Sequence, residues 1–437
     1  MGARDRALWI NDRRLSGRDS KRYKSHTAAD NNNSVTSLDR TLAQLILEKL
    51  GSPSISFILW NGETICLNQV HEDTARLRVY DRGVLFQLMR NAELYFGDLV
   101  ASGRLEIEGD WVSFFEKAYH GMRQAREAGS SIKKLFQRIR SYVPHTNTLA
   151  TAKSRIHHHY DISNEFYRLW LDKKHMQYTC AYYSNDTLDL EQAQEAKLDH
   201  VCRKLHLQPG DTVVEAGCGW GALARHMARN YGVTVKAYNI SHEQIHYARE
   251  AAKLQGLDDK IEYVEDDYRN IQGQYDVFVS VGMLEHVGRD SMKTLGKVVN
   301  RALKANGRGL IHSIGRNKPQ PMNAWIERRI FPGAYPPSLG EMMHIFEPQN
   351  FSVLDVENLR RHYVQTLRHW LRRYDDHQEQ IESMFDKEFV RAWRLYLAGS
   401  VAAFSTSDLQ LFQVLFSRPE VDSLPMTRDH LYLQDKQ

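Results

Sequence analysis

A chain of 437 residues with 42% apolar residues is long enough for two or three compact units with real cores. Its four cysteines, Cys66, Cys180, Cys202 and Cys218, are too widely spaced for a zinc ribbon or a disulfide framework, and a reduced, intracellular protein is the expectation. Formal net charge is only +4, and no apolar run reaches the roughly 18 residues of a spanning helix; any membrane contact is expected to be peripheral.

The basic residues cluster at the start, from Arg4 to Lys24, in a polar stretch that ends in Asn31-Asn32-Asn33. Residues 1–37 read as a disordered basic tail, with no signal-peptide core and no Ser or Thr at position 6 for myristoylation. Residues 38–128 read as a small α+β domain. A short helix is expected over Leu42 to Leu50, and strands Ser56 to Trp60 and Glu63 to Cys66 flank an Asn61-Gly62 hairpin turn. Alternation follows at Ala75 to Tyr80, helical spacing at Val84 to Met89, and an amphipathic helix over Trp111 to Met122. Residues 129–155 form a basic amphipathic linker: Ile132, Leu135, Phe136 and Ile139 make one stripe, Lys133, Lys134, Arg138 and Arg140 interleave, and no acidic residue occurs. Such a segment can lie on an anionic bilayer or pack on a neighbouring domain.

From residue 190 βα alternation is plain: a helix over Leu190 to Leu205, strand Thr212 to Ala216, a helix from Leu223, strand Val233 to Tyr238, and a helix opened by a capping-box pair, Ser241 and Gln244. Strands Ile261 to Glu265, Tyr275 to Val279 and Gly309 to Ile314 follow, with a helix over Met292 to Leu303. The fold class is α/β, a doubly wound Rossmann-like sheet with a smaller N-terminal α+β domain; ligands are expected at the carboxyl ends of its strands, where Gly217, Asn239, Asp267 and Glu285 fall. The catalytic domain is bounded at 156–420, with a C-terminal tail over 421–437.

The first strand runs into Gly217-Cys218-Gly219-Trp220-Gly221, a turn that lets backbone approach a ligand at a helix N-terminus. A nicotinamide dinucleotide would want an acidic residue about twenty positions on, where Ala237 to Ser241 offers none. Glu215, at the strand end, instead completes E-x-G-x-G-x-G, the pattern of class I S-adenosylmethionine methyltransferases.

His159-Tyr160-Asp161-Ile162-Ser163-Asn164-Glu165-Phe166-Tyr167, Met176 to Tyr183, Val281 to Gly288 and Asp408 to Arg418 together resemble the cyclopropane fatty acid synthase family over roughly residues 150–420. That resemblance implies a class I methyltransferase that adds a methylene from S-adenosylmethionine across a cis double bond of phospholipid acyl chains. It implies a bicarbonate ion as base, held by Glu285, His312, Tyr363 and backbone near Cys180 and Val281. For the cofactor it implies lid contacts from Tyr178 and Thr179, with Glu215, Gly217, Gly219 and Gly221 around the methionine portion and the turn. Asn239 and Gln244 would lie near the ribose, and Asp267 with Tyr268 near the adenine. Ser400 stands where better-known members have a cysteine, and a serine is far less nucleophilic than a thiol; that position is expected not to supply a nucleophile.

The run His157-His158-His159 points in different directions and predicts no metal site. No nucleic-acid-binding module or N/D-P-P-Y/F motif is present, so no nucleic-acid partner is expected. The partners implied are unsaturated phospholipids at an anionic membrane surface, reached from the cytoplasmic face, and a second subunit in a homodimer. Two alternatives remain: a methyltransferase whose product is methyl-branched, and a non-enzymatic lipid-binding module.

Overall fold

The computed structural model describes residues 34–51, 53–69, 73–128, 163–421 and 424–432. Most of the expected basic tail, the basic linker with Lys133, Lys134, Arg138 and Arg140, and His157 to Asp161 lie outside the described residues. The described residues form two compact units, one from those up to Ala125 with Gln378–Leu395, the other from those between Arg126 and His377 with those from Tyr396 onward. The grouping of 378–395 with the first unit departs from the contiguous 156–420 domain read from the sequence, because local periodicity carries no information on where a late segment returns.

The first unit holds a four-stranded sheet in the order β2-β1-β3-β4: β1 (Ile55–Ile58), β2 (Thr64–Ile65), β3 (Ala75–Val79) and β4 (Leu105–Glu108). The Asn61-Gly62 turn forms the expected hairpin, with Gly62 at φ +87° and β1 antiparallel to β2. The helix expected at 84–89 is the first half of a longer one, Arg82–Ala101, whose axis breaks at Asn91 (φ −162°, ψ 87°).

The second unit is built on a seven-stranded sheet in the order β10-β11-β9-β8-β5-β6-β7. β5 (Thr212–Ala216), β6 (Thr234–Asn239), β7 (Ile261–Glu265), β8 (Tyr275–Val281) and β9 (Leu303–Gly315) are mutually parallel. β10 (Ser352–Asn358) and β11 (Gln410–Ser417) add an antiparallel pair, with β11 against β9. From β5 the chain winds one way to β6 and β7 and the other way through β8 and β9, so the switch point lies between β5 and β8. Both faces are buried. Val213 packs with Leu198, Met227, Ile245 and Val277 on one, and Val214 and Ala216 with Phe278, Leu295 and Ile311 on the other. Alternation therefore puts Glu215 on the face of Val213, toward the helix Leu190–Lys204. No helix among the described residues is long and apolar enough to cross a membrane.

Candidate functional site

The carboxyl edge of the sheet carries the polar residues in strand order: Asp267 after β7, Asn239 at the end of β6, Gly217 after β5, Glu285 after β8, and His312 near the end of β9. Four inter-strand steps separate β7 from β9, roughly 19 Å, so this row suits an elongated ligand.

At its middle, Gly217 and Gly219 take φ +82° and +54°. A Cβ on Gly217 would come 2.8 Å from the Met283 Cβ, whereas one on Gly219 would meet nothing within 4 Å. The first glycine is a packing requirement and the second borders open space. Gly221 begins the helix Ala222–Tyr231, and its carbonyl accepts the Tyr263 hydroxyl at 2.9 Å. Trp220 donates to the Asn164 side chain at 2.7 Å and its ring meets Tyr167, joining the segment from Ser163 onward to this turn. The buried Glu215 takes the Ala224 N–H, while its Oε2 has no partner among the described residues. Burial pushes its carboxyl up to about 7, opposed by the charges of Lys197 and Arg225.

Asn239 donates through Nδ2 to Gln244 Oε1 at 2.7 Å and accepts the Ile240 N–H at 2.9 Å. This corrects the expected capping box. Ser241 does accept the Gln244 N–H, but the Gln244 side chain is bound to Asn239 and held over the edge of β6. Asp267 caps a short 3-10 turn, and its carboxylate is engaged by Arg269 at 2.7 Å. The buried Tyr268 hydroxyl has no partner among the described residues.

The segment after Trp170 is fastened from two sides. Asp172 accepts the N–H groups of His175 and Gln177, each at 2.7 Å. From the helix Leu190–Lys204, Gln194 Nε2 donates to the Thr179 carbonyl at 2.9 Å, and Lys197 Nζ donates to Thr179 Oγ1 at 2.9 Å and to Gln177 Oε1. Lys197 is fully buried, and desolvation draws its amine down to about 8. The sequence reading missed Gln194 and Lys197; the available signal was a pair of polar residues three apart, on the helix flank that also carries Leu190, Leu198 and Val201. The Tyr178 ring lies among Tyr167, Trp170 and Trp370 at 5.2–5.5 Å, and its hydroxyl meets that of Tyr396 at 2.8 Å.

A second polar centre forms where β8 and β9 end and β11 begins. Glu285, on the one-turn helix Leu284–Val287, accepts the Ile314 N–H through Oε1 at 2.5 Å. Its Oε2 is buried without a hydrogen-bond partner among the described residues, and burial pushes the carboxyl up to about 7, opposed by backbone N–H groups, that of Ile314 among them, and by the nearby Ser313 hydroxyl. His312 pairs with Val281 across β8 and β9, and its carbonyl accepts the Gly282 N–H at 2.9 Å. Burial draws its imidazole down to about 3, so the ring is neutral. Tyr363, on the helix Arg360–Asp376, is buried with its ring 4.6 Å from Phe404. Cys180 Sγ lies 4.0 Å from the Leu359 carbonyl and from Thr366 Oγ1. Leu359 N–H in turn donates to the Leu411 carbonyl, and Leu411 pairs with Ile314. An unbroken run of contacts thus connects Cys180 and the start of the Tyr363 helix with Glu285. Burial raises the Cys180 thiol far above the ordinary range, which leaves its backbone, not a thiolate, as the useful group.

Ser400 is half-buried on the helix Lys387–Ser405. It lies one turn from Tyr396, which bonds Tyr178, and one turn from Phe404, which packs on Tyr363. The position is therefore on the aromatic face between the two centres. Asp267 and Tyr268 belong to the other end of the row, beside β7.

A family model described as mycolic acid cyclopropane synthetase matches residues 147–414. The chain is 34% identical over 406 residues to "Probable fatty acid methyltransferase" of Pseudomonas putida, covering 90% of this chain and 100% of that one. It is 40% identical over 271 residues to the cyclopropane-fatty-acyl-phospholipid synthase of Escherichia coli strain K12, covering 62% of this chain and 69% of that one. Among solved structures, the mycolic acid cyclopropane synthase CmaA1 complexed with SAH and CTAB aligns with TM-score 0.58 and 28% identity, over 61% of this chain and 98% of that chain.

Proposed function

The chain belongs to the mycolic acid cyclopropane synthetase family and is an S-adenosylmethionine-dependent methyltransferase of it, and on that premise we propose that it adds a methylene across the cis double bond of unsaturated phospholipid acyl chains, with bicarbonate as the base. The observation that carries the reading is the pair of buried carboxyls, Glu215 and Glu285, each with an unpartnered Oε2. The two flank the switch point of the sheet.

Glu215 offers an acceptor to the ammonium of the methionine portion, Gly219 leaves room for the ligand, and Thr179, held by Lys197 and Gln194, lies on the segment expected to cover it. Asn239 with Gln244, and Asp267 with Tyr268, take the ribose and adenine. The sulfonium supplies an electrophilic methyl. Around the alkene, Tyr178, Trp170, Trp370, Tyr363, Phe404 and Tyr396 exclude water and turn aromatic faces toward the positive charge that develops on the acyl chain. An alkene is a weak nucleophile, so holding it in line with the methyl supplies much of the rate.

At the second centre the residues fit a small oxyacid anion. Glu285 Oε2 is an acceptor awaiting an O–H donor, while His312 and the Tyr363 hydroxyl can donate, with backbone near Cys180 and Val281 completing the shell. Bicarbonate there would supply a base for the proton lost from the transferred methyl. The lipid is met at an anionic membrane surface, with the basic segment 129–155 as the contact.

Whole-length similarity to a protein named as a fatty acid methyltransferase, together with Ser400, favours one second reading, a methyl-branched product. Both readings are tested by incubating the purified protein with methyl-deuterated S-adenosylmethionine and vesicles of cis-monounsaturated phospholipid, then analysing the lipids by mass spectrometry. A saturated-ring product supports the first reading, a branched or unsaturated product the second, and no product with intact cofactor binding would move the chain to lipid binding.

A further inference from the structure

The tail motif around Gln413 has no part in the chemistry so far, yet Gln413 sits directly against His312. In the β9–β11 ladder the two residues are register partners, so their side chains share one face of the sheet. The Gln413 Nε2 lies 3.0 Å from His312 Nδ1, and both residues are essentially excluded from solvent. The Gln413 Oε1 is without a partner among the described residues. Turning the amide over would instead leave its NH2 without one, and a buried unpaired donor is rarer and more costly than a buried unpaired carbonyl.

We propose that Gln413 is a positioning residue: it donates to Nδ1, fixes the ring proton of His312 on Nε2, and thereby makes His312 a hydrogen-bond donor toward the reaction centre rather than a base. The inference rests on the reading that an anion is held beside Glu285 and His312. A neutral imidazole has one donor and one acceptor nitrogen, and the partner of one decides the role of the other. Burial keeps His312 neutral throughout the working pH range, so the choice of tautomer, not protonation, sets what the ring can do. A donor at Nε2 complements a bound anion; an acceptor there would repel it.

The test is a long-range proton–nitrogen NMR spectrum of the full-length protein carrying 15N-histidine, with His312 assigned by its loss in His312→Gln. The expected pattern has the proton on Nε2. Gln413→Met, which keeps the volume and removes the donor, is expected to mix or reverse that pattern and to lower turnover roughly hundredfold, the lower end of what loss of one donor to an anion in an active site costs. Affinity for S-adenosylhomocysteine should stay within about twofold of the parent. A proton on Nδ1 in the parent protein overturns the proposal, and so does an unchanged pattern in Gln413→Met. A changed tautomer with unchanged turnover would uphold the hydrogen bond and remove His312 from the reaction, overturning the anion site instead. If Gln413→Met does not fold, the spectrum of the parent protein decides alone.

Discussion

Replacing Glu285 by Gln should stabilise the ligand-free protein at alkaline pH relative to its effect in acid, while abolishing turnover. The carboxyl is held near pH 7 in the fold by burial, against 4.5 as its reference. Its folded pKa is raised, so its contribution to stability is fully present below pH 4.5 and is lost as pH rises through 7. Two and a half units correspond to about 3 kcal/mol. Gln does not titrate and escapes that loss. It carries its own cost, because an amide can still accept the Ile314 N–H through its oxygen but leaves the NH2 where Oε2 was unpartnered, about 1–3 kcal/mol at every pH. The absolute shift at one pH is therefore ambiguous, and the pH dependence is not. Thermal melts of both proteins from pH 5 to 8.5 should show the difference in Tm between variant and parent moving in favour of the variant by roughly 5 °C. A difference that stays constant across that range would mean that the carboxyl is solvated, and the reasoning that makes it an acceptor for a bound oxyacid would fail.

Lys197→Met removes two hydrogen bonds from an amine and the charge that opposes protonation of Glu215; S-adenosylhomocysteine affinity by calorimetry should weaken at least about tenfold, and a Kd within twofold would refute the role given to this cation. Ser400→Ala should retain most of the turnover in the vesicle assay, because Tyr396 and Phe404 supply the aromatic contacts on either side; complete loss with an unchanged melt would make the hydroxyl a required group. Charge reversal at Lys133, Lys134, Arg138 and Arg140 should reduce binding to anionic vesicles in co-sedimentation, most strongly at low salt, and unchanged binding would assign the segment to protein packing.

What could be read in the sequence was local. Strand β5 and its glycine turn show themselves because an apolar run, an acidic strand end and three alternating glycines fall within a dozen residues. The carboxyl-end positions of Asn239, Asp267 and Glu285 follow once the βα alternation is recognised. The misses have two causes, local competition that a spacing rule ignores and pairing between distant segments. The apolar spacing that marks the helix Arg82–Ala101 is legible only as far as Met89, because the break at Asn91 resets the phase of its apolar stripe. The Ser241–Gln244 pair satisfies a local capping rule, but Asn239 competes for the Gln244 side chain and binds it. Lys197 and Gln413 act through partners on distant segments, Thr179 and His312, and neither a window of residues nor a spacing rule contains that pairing. The motif 408–418 was recognisable as a pattern; only the antiparallel placement of β11 beside β9 shows what its glutamine touches.

The ring-forming and branching readings share the first attack, so the placement of the proton acceptor must separate them. Ring closure needs a proton removed from the transferred methyl, which in the proposed cofactor site arrives from the side of Gly219 and Glu215. The residues proposed to hold the bicarbonate base, Glu285 and His312, follow β8 and lie near the end of β9, on the side of β5 away from β6. That adjacency favours loss of a proton from the new carbon over loss from a chain carbon farther along the acyl chain. A hydride shift from the methyl-bearing carbon followed by proton loss from the new carbon would give an open chain with a =CH2 branch, an isomer of the ring that also retains two of the three deuteriums, whereas loss from a chain carbon retains all three. Deuterium counting therefore reports which carbon lost the proton but cannot by itself tell ring from methylene, and ozonolysis of the product is the necessary second step. Retention of two deuteriums in an ozone-resistant lipid is the expected result. Three retained would place the base on the acyl-chain side of the site, contrary to the position of Glu285, and two retained with cleavage to a ketone would make the chain a methylene-forming enzyme that depends on a separate reductase.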